Sequence, residues 1–189
     1  MTAIINATLI MKDHLIPDAV LLMEDGVIVD FGEMRTTPIP EGCEIMDAEG
    51  AYVGPGLIDT HNHAGGGKWV FEDPAHAAQF NLKHGTTTML PTLYFNQDKK
   101  NLLEQIATMK TAMQTPECAS FVGLYMEAPY MNPKFGADRE GNPWKGPIRK
   151  EDYQELIDAA GDAAYAWCVA PEREHIEEFV RDAKMANSK

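Results

Sequence analysis

The chain is predicted to be an α/β protein: a parallel sheet of about four strand–helix units, preceded by a small all-β layer. Three observations predict it. Apolar runs at residues 57–61, 86–92, 119–127 and 164–169 read as strands. Each is followed by apolar residues at helical spacing, as in Leu102, Leu103, Ile106, Met109 and Met113. Before Gly54 no helical period appears, and short β-rich runs are punctuated by turn residues. Alternating strands and helices imply parallel pairing with crossover helices. A closed (β/α)8 barrel takes about 200–250 residues, so residues 54–189 amount to roughly half of one, a partial (β/α)8 barrel.

In residues 1–53 the runs at 3–9, 19–24, 27–31, 43–46 and 51–53 read as strands, with 36–42 a loop. Asp25-Gly26 between two of them is a strong short hairpin signal. After Gly54 a helix is expected near 73–83, with Ala77, Ala78 and Leu82 on one face, and a second over about 99–113. Residues 128–148 form a long polar loop rich in proline and glycine. Tyr153, Leu156, Ile157 and Ala160 mark a third helix. Pro171 is placed in the first turn of a fourth, beside Glu172 and Glu174. Its apolar stripe is Ile176, Phe179, Val180 and Ala183.

A net charge of −13 and a pI near 4.8 argue against nucleic acid and against an anionic membrane as partners. Hydrophobic residues make up 44% of the chain, enough to bury a core. Residues 1–20 lack a signal-peptide apolar region, and no run of about 18 apolar residues occurs. Cys43, Cys118 and Cys168 are odd in number and far apart, so they read as buried free thiols suited to a reducing cytoplasm.

The most informative stretch runs from Gly54 to Gly67, a buried strand ending in two histidines and then glycines. Residues two apart on a strand share a face, so His61 and His63 project together, about 7 Å apart. Neutral imidazole is the commonest protein ligand for divalent transition metals. Gly65, Gly66 and Gly67 leave room for a ligand or backbone to approach. In a barrel the strands' carboxyl ends carry the site. Glu127 closes the third strand there, and a carboxylate ending an apolar strand needs a partner, which a metal on His61 and His63 would supply.

Three stretches carry a family resemblance: Pro55-Gly56-Leu57-Ile58-Asp59-Thr60-His61-Asn62-His63, then His84-Gly85-Thr86-Thr87-Thr88-Met89-Leu90-Pro91-Thr92, then Gly123-Leu124-Tyr125-Met126-Glu127-Ala128-Pro129-Tyr130-Met131-Asn132-Pro133-Lys134. Together they resemble the N-terminal half of the N-acetylglucosamine-6-phosphate deacetylases, in the amidohydrolase superfamily. The resemblance implies that residues 1–53 are the N-terminal part of a composite β-sandwich and residues 54–189 the first half of the barrel. It implies His61, His63 and Glu127 as ligands of a divalent metal, zinc or iron, with one or two ions per site. The reaction would be hydrolysis of an acetamide on an amino sugar phosphate, giving acetate and the free amine. The family's general base and its two later histidines belong to strands five, six and eight. No catalytic base is therefore expected in these 189 residues, and alone they should be inactive. A cytoplasmic, self-associating homo-oligomer completes the expectation.

The sequence departs from the family at two places. Ala128 stands where glycine is usual, and Asp138 stands about where some members place a histidine that touches the substrate carbonyl. Asp138 and Trp144 are accordingly weak substrate-binding candidates, with Trp69 a second tryptophan able to stack on a sugar or to pack. Arg139, Lys145 and Arg149 could draw an anion to the loop. His84 reads as a helix cap or buried hydrogen-bonder, and His14, His76 and His175 as exposed. The competing readings are another amidohydrolase, such as a cyclic-amide hydrolase or deaminase, and a non-catalytic half-barrel that pairs with itself.

Overall fold

The computed structural model describes residues 1–187. The chain divides into two compact units, one of Met1–Pro55 and one from Gly56 onward. The first unit is a five-stranded sheet. Its strands are β1 (Thr2–Ile10), β2 (Leu15–Glu24), β3 (Val27–Glu33), β4 (Glu44–Asp47) and β5 (Tyr52–Val53). The order is β3-β2-β1-β4, with β5 also on β1. Asp25 and Gly26 turn β2 into β3 with both residues at positive φ, 51° and 79°, the backbone that a two-residue hairpin matched to strand twist requires. Alternation buries Ala3, Val20 and Leu22 in one small cluster and Ala7, Leu9 and Ala19 in another.

The second unit is a four-stranded parallel sheet with strands in chain order. Its elements are β6 (Leu57–Asn62), a hairpin of β7 (Ala64–Gly65) and β8 (Lys68–Trp69), α1 (Pro74–Lys83), β9 (Thr86–Leu93), α2 (Lys99–Ala112), β10 (Leu124–Met126), α3 (Lys150–Ala160), β11 (Ala164–Trp167) and α4 (Ile176–Ala186). The sheet runs β6-β9-β10-β11, every pair parallel. Its core is continuous from Met89 and Leu93 through Leu102, Ile106 and Met126 to Leu156 and Phe179. Tyr130 sits at its centre, with the rings of Phe179, Trp144 and Tyr153 edge-on at 5.3, 6.1 and 6.1 Å. Asp73 and Asp98 cap α1 and α2 by accepting from the backbone N–H groups of His76 and Asn101.

Several expectations are corrected. The third strand begins at Leu124, not Ala119. Pro116 starts a 3-10 turn in which the N–H groups of Cys118, Ala119 and Phe121 bond to Thr115, Pro116 and Cys118 carbonyls, so they are lost to the sheet. The last helix begins at Ile176, and its acidic first turn is Glu177 and Glu178. Pro171 lies before it, in turns that end at His175 in a left-handed conformation. Arg173 holds that segment: its guanidinium donates to the Met131, Trp144 and Gly146 carbonyls and lies 5.1 Å from the Tyr130 ring centre. Leu82 is exposed while Ala77 and Ala78 are buried. Of the three free thiols only Cys118 is buried; Cys43 and Cys168 are half-buried.

The glycine run after His63 is a hairpin turn against a helix. Gly65 is buried, and a Cβ there would lie 2.8 Å from the Ala77 carbonyl oxygen and 2.9 Å from Ala77 Cα. Gly65→Ala must therefore push the hairpin off α1. Its expected cost is about 1–3 kcal/mol, read as a lower urea midpoint. Gly67→Ala, which meets nothing within 4 Å, should cost only the positive-φ strain of about 1–2 kcal/mol. Equal midpoints for wild type and Gly65→Ala would contradict the packing.

Candidate metal centre

His61 is on the last turn of the pleat in β6, and His63 lies one residue beyond the strand. The pairing of β6 with β9 slips between Asp59 and Asn62. Such an irregularity re-aims side chains at a strand end. Asp59 fixes it, accepting from the His61 backbone N–H at 3.1 Å and from Asn62 Nδ2 at 2.8 Å. Asn62 in turn accepts from the Ala64 N–H at 3.2 Å. Asn81, on α1, donates to the Ala64 carbonyl at 3.3 Å. Asp59, Asn62 and Asn81 are positioning residues that periodicity could not find; the short Asp-X-X-Asn spacing, a common turn pattern, is the only sequence signal for them.

Glu127 follows β10 directly, and its N–H donates to the Leu93 carbonyl at 3.1 Å. That places its carboxylate at the same end of the sheet as the histidines. His61 Nε2 and His63 Nε2 are 3.0 Å apart. Glu127 Oε2 lies 3.2 Å from His63 Nε2 and 3.8 Å from His61 Nε2. One ligating atom from each residue falls within 4.8 Å of the others, the one such His/Cys/Asp/Glu cluster found among the described residues.

The chemistry of the cluster favours a cation. Glu127 is 12% exposed, and its Oε2 is sealed from solvent without a hydrogen bond. Nδ1 of His63 is likewise buried and unpaired. A proton between the imidazoles can bridge only one pair of atoms, whereas a divalent ion would engage both nitrogens and the carboxylate at once. Two imidazoles and a carboxylate suit zinc or iron(II), so the residues present fit such an ion.

An aromatic wall flanks the cluster. The His61 ring is 4.6 Å from Tyr125, and the His63 ring is 5.1 Å from Tyr94 and 5.8 Å from Trp69. Burial, then hydrogen bonding to Cys168 and the nearby Cys168 and Glu127 charges, pushes the Tyr125 hydroxyl up to about 12. Burial, followed by the Glu127 and Asp138 charges, also raises Tyr94. Both phenols therefore stay protonated at neutral pH.

The other candidates fall elsewhere. Trp144 is corrected as a substrate-stacking residue: it is 8% exposed, and its indole N–H is spent on the Gln97 carbonyl at 2.7 Å. Asp138 is half-buried and accepts from Asn96 Nδ2 at 3.0 Å and the Gly141 N–H at 3.1 Å. Arg139 and Lys145 pair with Glu140 on the loop surface. His84 caps α1, its Nδ1 2.8 Å from the Phe80 carbonyl, and is exposed rather than buried.

Known proteins bear on this arrangement. Residues 52–188 match the model described as the amidohydrolase family. An N-acetylgalactosamine-6-phosphate deacetylase of Escherichia coli is 25% identical over 200 aligned positions, covering 99% of this chain and 49% of that protein. An adenine deaminase of Methanoculleus marisnigri is 43% identical over 68 residues, 36% of this chain and 11% of that protein. Among solved structures, an N-acetyl-D-glucosamine-6-phosphate deacetylase of Mycobacterium smegmatis, in complex with N-acetyl-D-glucosamine-6-phosphate, has a TM-score of 0.78 at 21% identity, covering 98% of this chain and 47% of that one. The chain thus spans about half the length of the deacetylases it resembles.

Metal content tests the cluster. After zinc loading and dialysis, the wild-type chain should retain zinc by plasma emission. His61→Ala and Glu127→Gln should each retain at least tenfold less, while His84→Ala, altered at an exposed cap, should match wild type. Equal zinc in all four proteins would remove His61 and Glu127 from any metal site.

Proposed function

Because the chain belongs to the amidohydrolase family, we propose that it forms part of a metal-dependent deacetylase acting on an N-acetyl amino sugar phosphate such as N-acetylglucosamine 6-phosphate. The single observation that carries this reading is the convergence of His61, His63 and the sealed Glu127 oxygen at the carboxyl end of a parallel sheet. In this reading those three residues hold zinc or iron, one or two ions per site. When bound, the ion supplies an activated water and polarises the amide carbonyl.

The chain's own residues prepare the place for that chemistry. Glu127 and the two imidazoles provide three donors on a rigid sheet end, and Asp59 and Asn62 set their aim. Asp59 is committed to two hydrogen bonds, which argues against a role as the general base. The base and the phosphate-gripping groups are proposed to come from residues outside this stretch. With them would come the rest of a (β/α)8 barrel, of which residues 54–189 form about four units, and the remainder of a sandwich begun by residues 1–53. The site residues, this division and a cytoplasmic homo-oligomer all belong to the proposal. Among the described residues no helix is long and apolar enough to cross a membrane.

A second reading, adenine deamination, is favoured by the 43% identity to the deaminase, though that match covers 36% of the chain. Product analysis separates them. With zinc or iron(II) supplied, acetate release from N-acetylglucosamine 6-phosphate and ammonia release from adenine are measured on the full product of the gene and on these 189 residues alone. Acetate from the full product is expected. The 189 residues alone should be slower by at least the roughly 10²–10⁴-fold that a positioned base contributes. Ammonia without acetate would replace the deacetylase reading with the deaminase one.

A further inference from the structure

Trp69 is an aromatic side chain that folding leaves open. It remains 38% exposed, although its surroundings fix it firmly. It ends the two-residue strand β8, paired across from Ala64. Its backbone N–H donates to Glu72 Oε2 at 2.9 Å, and the Val70 N–H next to it donates to the His63 carbonyl at 2.9 Å. The close fit of Gly65 on α1 anchors the same hairpin. Its ring stacks on Tyr94 at 5.8 Å with 30° between planes and on Phe71 at 5.8 Å with 19°, so the surface it offers is the part these two leave exposed. The Trp69 and Tyr94 rings meet the His63 imidazole close to edge-on, at 78° and 83°. The two aromatics are therefore held beside a ligating imidazole at the open end of the sheet.

The polar atoms of the pair are also uncommitted. Among the described residues, the indole N–H of Trp69 and the hydroxyl of Tyr94 have no hydrogen-bond partner. Trp144 is the contrasting case, buried with its N–H satisfied. A flat apolar surface with free donors at its edge is the chemistry that binds a pyranose: C–H groups lie on the rings and hydroxyls meet the donors. The loop carboxylate Asp138, held by Asn96 and Gly141, is acceptor-only when ionised. It cannot donate to a carbonyl or an acyl oxygen, whereas Tyr94 can.

We propose that Trp69 and Tyr94 form the wall against which the sugar ring of the N-acyl substrate lies beside His63, and that they select a pyranose over other amides. This rests on the deacetylase reading given above. Neither residue is assigned a part in bond breaking; they set binding.

The test follows the three indole N–H signals of the ¹⁵N-labelled, zinc-loaded chain, which contains three tryptophans. Trp69→Phe identifies the Trp69 signal, and unmoved Trp144 and Trp167 signals in that variant show that the fold is kept. N-acetylglucosamine 6-phosphate at millimolar concentration should shift the Trp69 signal and leave the other two in place. Tyr94→Phe should raise the apparent Kd about five- to tenfold, the loss of one hydrogen bond. Saturation transfer to the acetyl methyl group reports binding independently. If the sugar phosphate binds by that measure while Trp69 stays still and Tyr94→Phe binds as wild type, the wall is overturned and the deacetylase reading stands. If no binding is seen with zinc retained, the wall does not hold the sugar and is overturned; the deacetylase reading, whose phosphate-gripping groups are placed outside these residues, is judged separately by acetate release from the full product of the gene. If adenine shifts Trp69 and the sugar phosphate does not, the wall serves a planar base and the pyranose assignment is wrong.

Discussion

A carboxylate oxygen sealed from water, with two imidazole nitrogens 3.2 and 3.8 Å away, is the constraint on which the second unit depends. Burying such an atom is costly unless something of opposite charge meets it. The unit is arranged so that the meeting is unavoidable. Three adjacent parallel strands, β6, β9 and β10, put their carboxyl ends side by side. A single backbone bond, Glu127 N–H to the Leu93 carbonyl, then sets the height of the carboxylate. The slip in the β6–β9 pairing turns His61 and His63 toward it.

Loops rather than strands brace this end of the sheet, and they do so through fixed polar contacts. Arg173 ties three carbonyls of the 128–148 loop to the segment before α4, over the face of Tyr130. Lys150 and the Tyr153 hydroxyl both donate to Asp182 at 2.8 Å and so join α3 to α4. A long polar loop can hold one shape when an arginine supplies several donors at once, since each carbonyl would otherwise need water. The open side of the cluster is left to Trp69 and Tyr94.

How much of this was legible in the sequence follows from the range of each interaction. The four strand–helix repeats were readable because Leu102, Ile106 and Met109, or Phe179 and Ala183, repeat their chemistry at local spacing. His61, His63 and Glu127 were visible as residues able to ligate at strand ends, and the structure brings them together. What escaped was decided by groups far apart in the chain or by competition for backbone bonds. The third strand is short because a proline-led turn consumes the N–H groups of Cys118, Ala119 and Phe121. The fourth helix starts late because Arg173 is drawn to carbonyls some thirty to forty positions earlier. The glycine run looked like space for a ligand, yet Gly65 is filled by α1. Asp59 and Asn62 carry no periodic signal at all.

The sequential order of the sheet also fixes a history. β10 and β11 each pair with the strand made just before them, and β9 pairs with β6, the preceding strand of this sheet once the β7–β8 hairpin is passed, so the sheet can grow from one edge while the chain is still leaving the ribosome. His61 and His63 emerge first, and Glu127 follows only after β9 and α2. At about 5–20 residues per second, the two imidazoles wait several seconds for their carboxylate. The proposed metal site is therefore incomplete until residues 64–126 have been made, and its third donor arrives with the third strand of the sheet.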